Sequence, residues 1–505
     1  MSVAEVVHVA RQGGDVSIAP SAERAMNASR RVVERRLKDG DPHYGINTGF
    51  GSLAKVRIGA EDLRTLQRNL IRSHSAGAGD ALPAELVRGT MLLLAASLAR
   101  GHSGVRPEVV GLLRDLLNRG VTPVVPSLGS VGASGDLAPL AAIALVMIGE
   151  GRAVFRGREL AASAALAKAG LMPVILEAKE GLALINGTHL MAASGALLAH
   201  DAEVLFRSAV AALAMTIDAC RATHAFLDDR LYQARANPGP LTTAAMLRAL
   251  LHGSQIATSH LENDPRVQDP YSLRAGPTVL GAVDWALTQF TSSVQFELGA
   301  VTDNPLVFPD DAKGTGDIVS GANFHGMPIA LPMDQLAIAL AHIAGISERR
   351  TYLMTGAFEP ESHLKPFLAP RPGLESGLMI AQYTAAACVN EITGLATPAT
   401  VANVPTCAGM EDYNSFGPRA AAKARRIVEL ATRVVAIELL CAAQALETHR
   451  PLRSGQGVER VFKLIRSVVK PLKGDRPLTP DIEALASLIS SGKVASAVDE
   501  SLTLE

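Results

Sequence analysis

The chain has 505 residues, of which 48% are hydrophobic and only 4% aromatic, so its interior must be built mainly from aliphatic side chains. Lysine and arginine together number 48 against 49 aspartates and glutamates, which gives a formal net charge of -1. This balance argues against a nucleic acid or an anionic membrane as partner, because both are usually met by a clearly basic surface. The length permits a large core and two to four domains of roughly 100 to 200 residues each.

The N-terminal segment and the cysteines indicate a cytoplasmic protein. The short apolar stretch at the N-terminus is broken by Glu5 and His8, and it has neither a basic lead nor a cleavage signal. The cysteines are far apart in the sequence, as is usual for a reduced protein: Cys220, Cys388, Cys407 and Cys441. The most apolar stretch, residues 137–149, is too short to cross a bilayer, so we expect no transmembrane helix.

Periodic apolar residues predict mainly helices, with two short hairpins between them. In chain order they predict a hairpin over 152–160, helices over 203–217 and 281–301, a second hairpin joining 306–308 to 318–320, and helices over 333–354, 376–393 and 419–446. The last helix carries apolar residues at alternating spacings of three and four: Ile427, Leu430, Val434, Ile437 and Cys441.

Many of these helices are long and rich in alanine, so they can approach each other closely. The predicted fold class is therefore mainly α, a bundle of long helices with a few short hairpins. We expect an N-terminal helical region over residues 1–200 and a C-terminal long-helix bundle over residues 201–505, which also carries the oligomerisation surface.

Several common motifs are absent. The glycines of residues 45–51 follow no apolar strand and lack the spacing of a dinucleotide site, and no glycine loop is followed by a Walker lysine. Ser52 and Lys55 match the Ser-x-x-Lys pattern of acylating serine enzymes, but the accompanying Lys-Thr-Gly is missing. The histidines show no metal-ligand pairing, so we expect no metal site.

The segment over residues 129–140, Gly-Ser-Val-Gly-Ala-Ser-Gly-Asp-Leu-Ala-Pro-Leu, has two interpretations. In the first, Ser134 or Asp136 simply caps the helix that starts near Pro139. In the second, the small Gly135 lets its amide nitrogen close onto the carbonyl of Ala133. Ring closure with dehydration of Ser134 would then give an electrophilic imidazolone at the start of a helix, whose positive field favours an electron-rich adduct.

This segment resembles the family of aromatic amino acid ammonia-lyases and aminomutases, which form a methylidene-imidazolone (MIO) cofactor from Ala-Ser-Gly, here Ala133, Ser134 and Gly135. Further segments match the family and lie along the chain in the family's order: residues 44–51, 186–188, 267–274, 303–306, 321–325 and 347–350. The resemblance implies the long-helix fold of that family, elimination of ammonia from an aromatic amino acid without a dissociable cofactor, and a homotetramer whose active sites draw residues from three chains.

The resemblance also implies roles for two tyrosines. Tyr44 resembles the base that takes the β-proton of the substrate, and Tyr271 resembles a tyrosine next to the cofactor. A tyrosine can act as a base only if its pKa falls, and we expect helix N-termini and Arg274 to lower it. Which tyrosine takes the proton stays open, and a buried, hydrogen-bonded phenol is the alternative for each.

The other implied site residues bind the substrate. Arg274 resembles the bidentate partner of the substrate carboxylate. Asn186 and Asn304 are expected to orient that carboxylate and the cofactor carbonyl, and Phe324 resembles the residue whose ring covers the cofactor.

Two features favour L-histidine as the substrate, with urocanate as the product. His74 lies in a segment similar to that of histidine ammonia-lyases, and Glu411 supplies a carboxylate that would hold an imidazole. Four residues depart from the histidine pattern: Gly276, His189, Met410 and Tyr413. We expect the small Gly276 to open space in the pocket. A tyrosine or phenylalanine ammonia-lyase and a 2,3-aminomutase therefore remain alternatives, with a catalytically silent helical scaffold as a remote one.

Overall fold

The structure, a computed structural model, describes residues 1–262, 264–310 and 315–503. Helices predominate, and in chain order they are α1 Val3–Val7, α2 Pro20–Arg36, α3 Leu63–His74, α4 Ala84–Ala99, α5 Pro107–Arg119, α6 Leu137–Met147, α7 Ala162–Ala169, α8 Glu180–Ile185, α9 His189–Ala219, α10 Asp229–Arg235, α11 Pro238–Leu251, α12 Gln255–Thr258, α13 Tyr271–Arg274, α14 Gly276–Glu297, α15 Met327–Gly356, α16 Met379–Leu395, α17 Gly417–Glu447, α18 Gln456–Val468, α19 Thr479–Ser490 and α20 Lys493–Leu502. The predicted fold class, mainly α with long helices, is confirmed.

The strands are short and form three small antiparallel sheets. They are β1 Ala78–Ala81, β2 Val121–Pro123, β3 Pro126–Leu128, β4 Arg152–Phe155, β5 Arg158–Ala161, β6 Leu306–Asp310 and β7 Thr315–Val319. β1 pairs with β3, β2 with β4 and β4 with β5, and β6 with β7. Both predicted hairpins are therefore confirmed, as β4–β5 and β6–β7.

The predicted helices all form, but most begin earlier than their apolar periodicity indicated. The helix expected over 203–217 is the last half of α9, which starts at His189. α15 starts at Met327 and keeps its helical path through Pro332, although that residue has no backbone N–H to donate. α14 ends at Glu297, four residues before the predicted end, and Gly299 follows shortly after it.

Contacts within the chain define two compact units. The first comprises Met1–Leu197, Thr291–Met333 and Ala399–Ala422, and the second comprises Leu198–Phe290, Asp334–Pro398 and Lys423–Glu505. The sequence predicts a single boundary between residues 200 and 201. Two later segments of the chain nevertheless belong to the first unit, so neither unit is a continuous stretch of sequence.

The first unit contains the small sheets and helices α1 to α8. One of its cores joins α2, α3 and β6 through buried aliphatic side chains: Val32, Val33, Ile46, Leu63, Ala178 and Val307. Burial of such groups stabilises the unit by roughly 25 cal/mol for each Å² of apolar surface removed from water.

In the second unit, α17 carries the predicted apolar seam, and all five of its residues are buried. The same helix also buries Glu438, which the apolar pattern did not reveal. Its carboxylate accepts from Nη2 of Arg350 at 2.7 Å and from Oγ1 of Thr216 at 2.8 Å. Both charged side chains are fully buried, and the pairing offsets the cost of removing them from water.

One helix in the described part of the chain, α15, has the length and the apolar composition that would allow it to cross a membrane. About half of its most apolar 18-residue window, 56%, is buried inside the protein. A core helix of a globular protein has the same properties, so this one helix is weak evidence for a membrane span.

Candidate active site

The loop that carries Ala133, Ser134 and Gly135 lies between β3 and α6, directly before the first turn of that helix. Gly135 has a φ of 75°, and a Cβ atom at this position would lie only 2.0 Å from the carbonyl oxygen of Gly187. The backbones of these two glycines form a parallel bridge. Gly187 N donates to Ser134 O at 3.2 Å, and Asp136 N donates to Gly187 O at 2.8 Å. The loop therefore requires glycine at 135 and is fixed by backbone hydrogen bonds.

The other side of the loop is held by residues 415 and 416. Phe416 N donates to Val131 O at 2.9 Å, and Ser415 Oγ donates to Gly132 O at 3.1 Å. Gly132 also has a positive φ, 69°, and a Cβ there would lie 2.1 Å from Ser415 Oγ. The predicted cofactor sequence is thus flanked by hydrogen bonds to residues 131 and 132 on one side and is paired with Gly187 on the other.

Asp136 is the residue at the N-cap of α6, but its side chain does not cap that helix. Its fully buried carboxylate instead accepts from Leu190 N at 2.9 Å and Met191 N at 3.1 Å, at the start of α9. The expectation that Ser134 or Asp136 caps the following helix is therefore wrong. Burial raises the pKa of Asp136 to about 7, although the N–H donors and Ser130 act in the opposite direction.

Asn186 and Asn304 contact each other beside this loop. Asn186 caps the C-terminus of α8, and its Nδ2 donates to Asn304 O at 3.1 Å. Asn304 Oδ1 accepts from Gly321 N at 2.7 Å. An amide side chain has one accepting and one donating end. Because these contacts engage Nδ2 of Asn186 and Oδ1 of Asn304, they fix the orientation of both amides.

Glu411 contacts Ser134 of the predicted cofactor sequence. Its Oε1 accepts from Ser134 Oγ at 3.2 Å, and its Oε2 accepts from Thr406 Oγ1 at 2.7 Å. The backbone of Thr406 and Glu411 forms an antiparallel bridge, which fixes the carboxylate further. The structure therefore brings a predicted substrate-binding residue into contact with a predicted cofactor residue.

His74 ends α3, and its ring is tied to the backbone. Its Nδ1 lies 2.9 Å from Leu70 O, a group that can only accept, so Nδ1 carries the proton in this hydrogen bond. Burial lowers the pKa of His74, while the backbone hydrogen bond and the charge of Glu411 act to raise it. The imidazole is thus held in one tautomer.

Tyr44 lies in the turn after α2, and its hydroxyl accepts from Gly51 N at 3.4 Å. Burial raises the pKa of Tyr44, and the nearby Cys407 and Glu411 raise it further. The prediction of a lowered pKa is therefore wrong for this tyrosine in the single chain. Its phenol is neutral here, with the hydroxyl proton in place.

Phe324 lies in the turn between β7 and α15 and is half-buried. The next residue, His325, ties this turn to the segment after Glu411, because His325 Nε2 lies 3.0 Å from Tyr413 O. The rings of His325 and Tyr413 are stacked, with centroids 6.4 Å apart. This link was not predicted, since nothing in the sequence pairs two residues so far apart.

Tyr271 and Arg274 belong to the second unit and form the short helix α13. Tyr271 is 72% exposed, and the Arg274 guanidinium lies 4.6 Å from the centre of its ring. Arg274 also donates to Asp269 O and to Gln268 Oε1, both at 2.8 Å. These contacts stabilise the orientation of the arginine.

Gly276 follows in the same unit and does not open the space that was predicted. A Cβ atom there would lie 2.6 Å from Cδ2 of Leu213, so this leucine already fills the position. That expectation is wrong because a neighbouring helix supplies the missing volume. Among residues 1–262, 264–310 and 315–503, no cluster of His, Cys, Asp and Glu could hold a metal ion.

Comparison with known proteins gives a consistent result along the whole chain. Residues 1–467 match the family model of aromatic amino acid lyases. The chain is 47% identical over 500 residues to the histidine ammonia-lyase of Symbiobacterium thermophilum, covering 99% of this chain and 97% of that protein. It is 48% identical over 499 residues to the histidine ammonia-lyase of Stigmatella aurantiaca, covering 99% and 96%.

The solved structures that resemble this chain include a histidine ammonia-lyase and a tyrosine aminomutase. The histidine ammonia-lyase of Trypanosoma cruzi superimposes with a TM-score of 0.91 at 38% identity, covering 99% of this chain and 94% of that one. The tyrosine aminomutase of Streptomyces globisporus gives a TM-score of 0.92 at 33% identity, covering 99% and 97%.

Proposed function

Because the chain belongs to the aromatic amino acid lyase family, we propose that it eliminates ammonia from L-histidine to give urocanate. The observation that carries this proposal is the contact between Ser134 Oγ and the Glu411 carboxylate at 3.2 Å. It puts a group suited to an imidazole N–H beside the residue from which the cofactor forms. The relatives that are 47–48% identical over nearly the whole chain are histidine ammonia-lyases.

The residues at 133–135 fit an MIO group. Gly135 has a positive φ and no room for a side chain, which suits attack of its nitrogen on the Ala133 carbonyl carbon. That ring closure releases one water, and loss of the Ser134 hydroxyl with its α-proton releases a second. When formed, the group supplies an electrophilic carbon for the substrate amine.

Glu411 and His74 are proposed to select the ring of the substrate. Glu411 is held by Thr406, so its carboxylate can accept an imidazole N–H without first having to be ordered. The Nδ1 proton of His74 is engaged by Leu70 O, which leaves Nε2 as an acceptor while the ring is neutral.

Arg274, Asn186 and Asn304 are proposed to bind the substrate carboxylate and orient the reacting carbons. Arg274 uses Nε for Asp269 O and one N–H of Nη2 for Gln268, so we assign Nη1 and the second N–H of Nη2 to a bidentate contact with the carboxylate. Phe324 is proposed to cover the reacting group. Tyr44 or Tyr271 takes the β-proton, and for Tyr44 the assembled site must then overcome the raised pKa.

The test of this function is an absorbance scan of the purified protein with histidine, tyrosine and phenylalanine. We expect an unsaturated acid from histidine. Product from tyrosine with none from histidine would overturn the substrate assignment. A β-amino acid found by chromatography would show instead a 2,3-aminomutase, the second candidate, which the likeness to tyrosine aminomutase supports.

Intact mass tests the cofactor separately. Ring formation predicts that wild-type protein is lighter than its sequence by two waters and that Ser134→Ala removes this difference. An unshifted wild-type mass would contradict the MIO proposal and favour a silent scaffold.

The proposal includes a homotetramer in the cytoplasm. Large apolar side chains are exposed on the single chain, as expected of surfaces that other copies cover: Phe296, Tyr383, Leu331 and Ile338. The four cysteines, all within the described residues, are unpaired, which suits a reducing compartment. Light scattering that gives a monomer at micromolar concentration would contradict the tetramer.

A further inference from the structure

A fully buried ion pair lies next to the two asparagines of the site. Lys179 Nζ lies 2.6 Å from Asp303 Oδ2, and the side chains are 0% and 1% exposed. Lys179 stands immediately before α8, the helix that ends at Asn186, and Asp303 immediately precedes Asn304. The pair therefore joins the two segments that carry the asparagines.

The aspartate contacts both asparagines directly. Asp303 Oδ1 accepts from Asn304 N at 2.6 Å and lies 3.4 Å from Nδ2 of Asn186, while Oδ2 is taken by Lys179. Asn186 Nδ2 thus faces two groups that can only accept, the Asp303 carboxylate and Asn304 O. A rotated Asn186 amide would place its oxygen against these acceptors, so its orientation is fixed.

A second set of contacts joins the same two segments. Thr188 N donates to Thr302 Oγ1 at 3.2 Å, and Thr188 Oγ1 donates to Glu297 at 2.8 Å. The segments that carry the two asparagines are thus also linked by hydrogen bonds that involve neither Lys179 nor Asp303. Removing the buried charges would leave these links in place.

Stability alone does not account for such a pair. Two charges lose their hydration when they are buried, and apolar residues of similar volume often serve a fold as well or better. Lys179 in addition adopts a left-handed backbone, with a φ of 76°, which a side chain other than glycine rarely takes. These costs fall on a pair whose aspartate contacts both Asn186 and Asn304.

We propose that Lys179 and Asp303 are positioning residues, which hold Asn186 and Asn304 in the orientation that binds the amino acid substrate. This inference rests on the proposed function, because it takes both asparagines as substrate-binding. The pair acts through them and does not itself touch the substrate. The contact with Lys179 Nζ aligns the Asp303 carboxylate, and the carboxylate then orients the Asn186 amide and the Asn304 backbone.

The test compares two double variants of the full-length protein. Lys179→Met with Asp303→Leu removes both charges and the acceptor for the asparagines. Lys179→Met with Asp303→Asn also removes both charges but keeps one oxygen in the position of Oδ1. For both variants we measure thermal stability, the two-water mass difference, and kcat and KM for ammonia release from histidine.

Positioning predicts that kcat of the Leu variant falls by about 100-fold, because a displacement near 1 Å of a substrate-binding group costs about that much. KM changes much less, and the protein stays folded and keeps the mass difference. The Asn variant recovers kcat to within about tenfold of the wild type, since its oxygen can replace the acceptor. A purely structural pair would instead give two folded variants with wild-type kcat, and that result would overturn the inference.

Glu438→Gln is the matched control, because Glu438 is also a fully buried carboxylate in an ion pair but belongs to the second unit. It should lower thermal stability without changing kcat. A wild type that releases no ammonia from any of the three amino acids would refute the proposed function and the inference with it. An active wild type with two fully active double variants would refute the inference alone.

Discussion

His189 makes the stability of the protein depend on pH in a way that can be calculated from its surroundings. Its side chain is 4% exposed at the start of α9, and Nε2 would lie 2.8 Å from a Cβ on Gly187, so the ring packs against that glycine. Burial lowers the pKa of His189 from 6.5 to about 4. The unfolded chain therefore binds a proton between these pH values that the folded chain does not bind.

Stability that depends on this histidine is present above pH 6.5 and is lost as the pH falls toward 4. The two pKa values correspond to a complete loss of about 3 kcal/mol per chain, because one pKa unit is worth 1.36 kcal/mol. At about pH 5 roughly 2 kcal/mol of this is already lost. The variant His189→Gln has no titrating group at this position and should lack this part of the acid sensitivity.

Urea unfolding of both proteins at about pH 7.5 and about pH 5, at equal protein concentration, checks the calculation. On acidification the wild type should lose about 2 kcal/mol more than His189→Gln. Contributions that both proteins share, including that of Asp136, cancel in this difference. The control is His200→Gln, since His200 is exposed on the same helix, and it should behave as the wild type. Equal losses in the wild type and His189→Gln would refute the reasoning.

Three further predictions follow from contacts in the structure. Gly135→Ala puts a Cβ 2.0 Å from Gly187 O, so intact mass should show no loss of two waters, and a normal mass difference would contradict the packing argument. Glu438→Gln leaves the buried Arg350 guanidinium without its charged partner, so urea unfolding should show a loss of about 3 to 5 kcal/mol. Glu411→Gln should raise KM for histidine by about tenfold or more, because a hydrogen bond to a charged group is worth about 1.5 to 3 kcal/mol, and an unchanged KM would exclude the proposed imidazole contact.

Local patterns predicted the parts of the fold that depend on neighbouring residues. The apolar seam of α17 and the two hairpins each follow from the spacing of side chains within one segment. The start of α6 directly after residues 133–135 was likewise marked by small residues followed by Pro139. Such features require no knowledge of distant partners, which explains why the sequence was sufficient.

The contacts that the sequence did not predict join segments that are far apart along the chain. Asp136 caps α9 by accepting from Leu190 N and Met191 N. Because every residue except proline has a backbone N–H, the residue types do not indicate which N–H groups Asp136 contacts. The pKa of Tyr44 depends on burial by groups that only the folded chain brings together. The volume beside Gly276 is filled by Leu213, a residue with nothing in its own sequence context to indicate that role.

The four departures from the histidine pattern differ in what they can do to substrate choice. Met410 and Tyr413 are more than half exposed on the single chain, while the intervening Glu411 is held in place by Thr406 through a backbone bridge and a side-chain hydrogen bond. Their substitution therefore leaves the carboxylate in position. The glycine at 276 is compensated in volume by its neighbouring leucine, which argues against an enlarged pocket for a phenol ring.

His189 is linked to the loop at residues 133–135 through Gly187, since it packs against that glycine and the glycine backbone pairs with Ser134 and Asp136. Its burial keeps the ring neutral down to about pH 4, so it adds no charge beside the loop at neutral pH. The buried, neutral ring packs against Gly187 and so supports the backbone pairing of the loop. The four departures are therefore compatible with the proposal that Glu411 and His74 select the imidazole ring of the substrate.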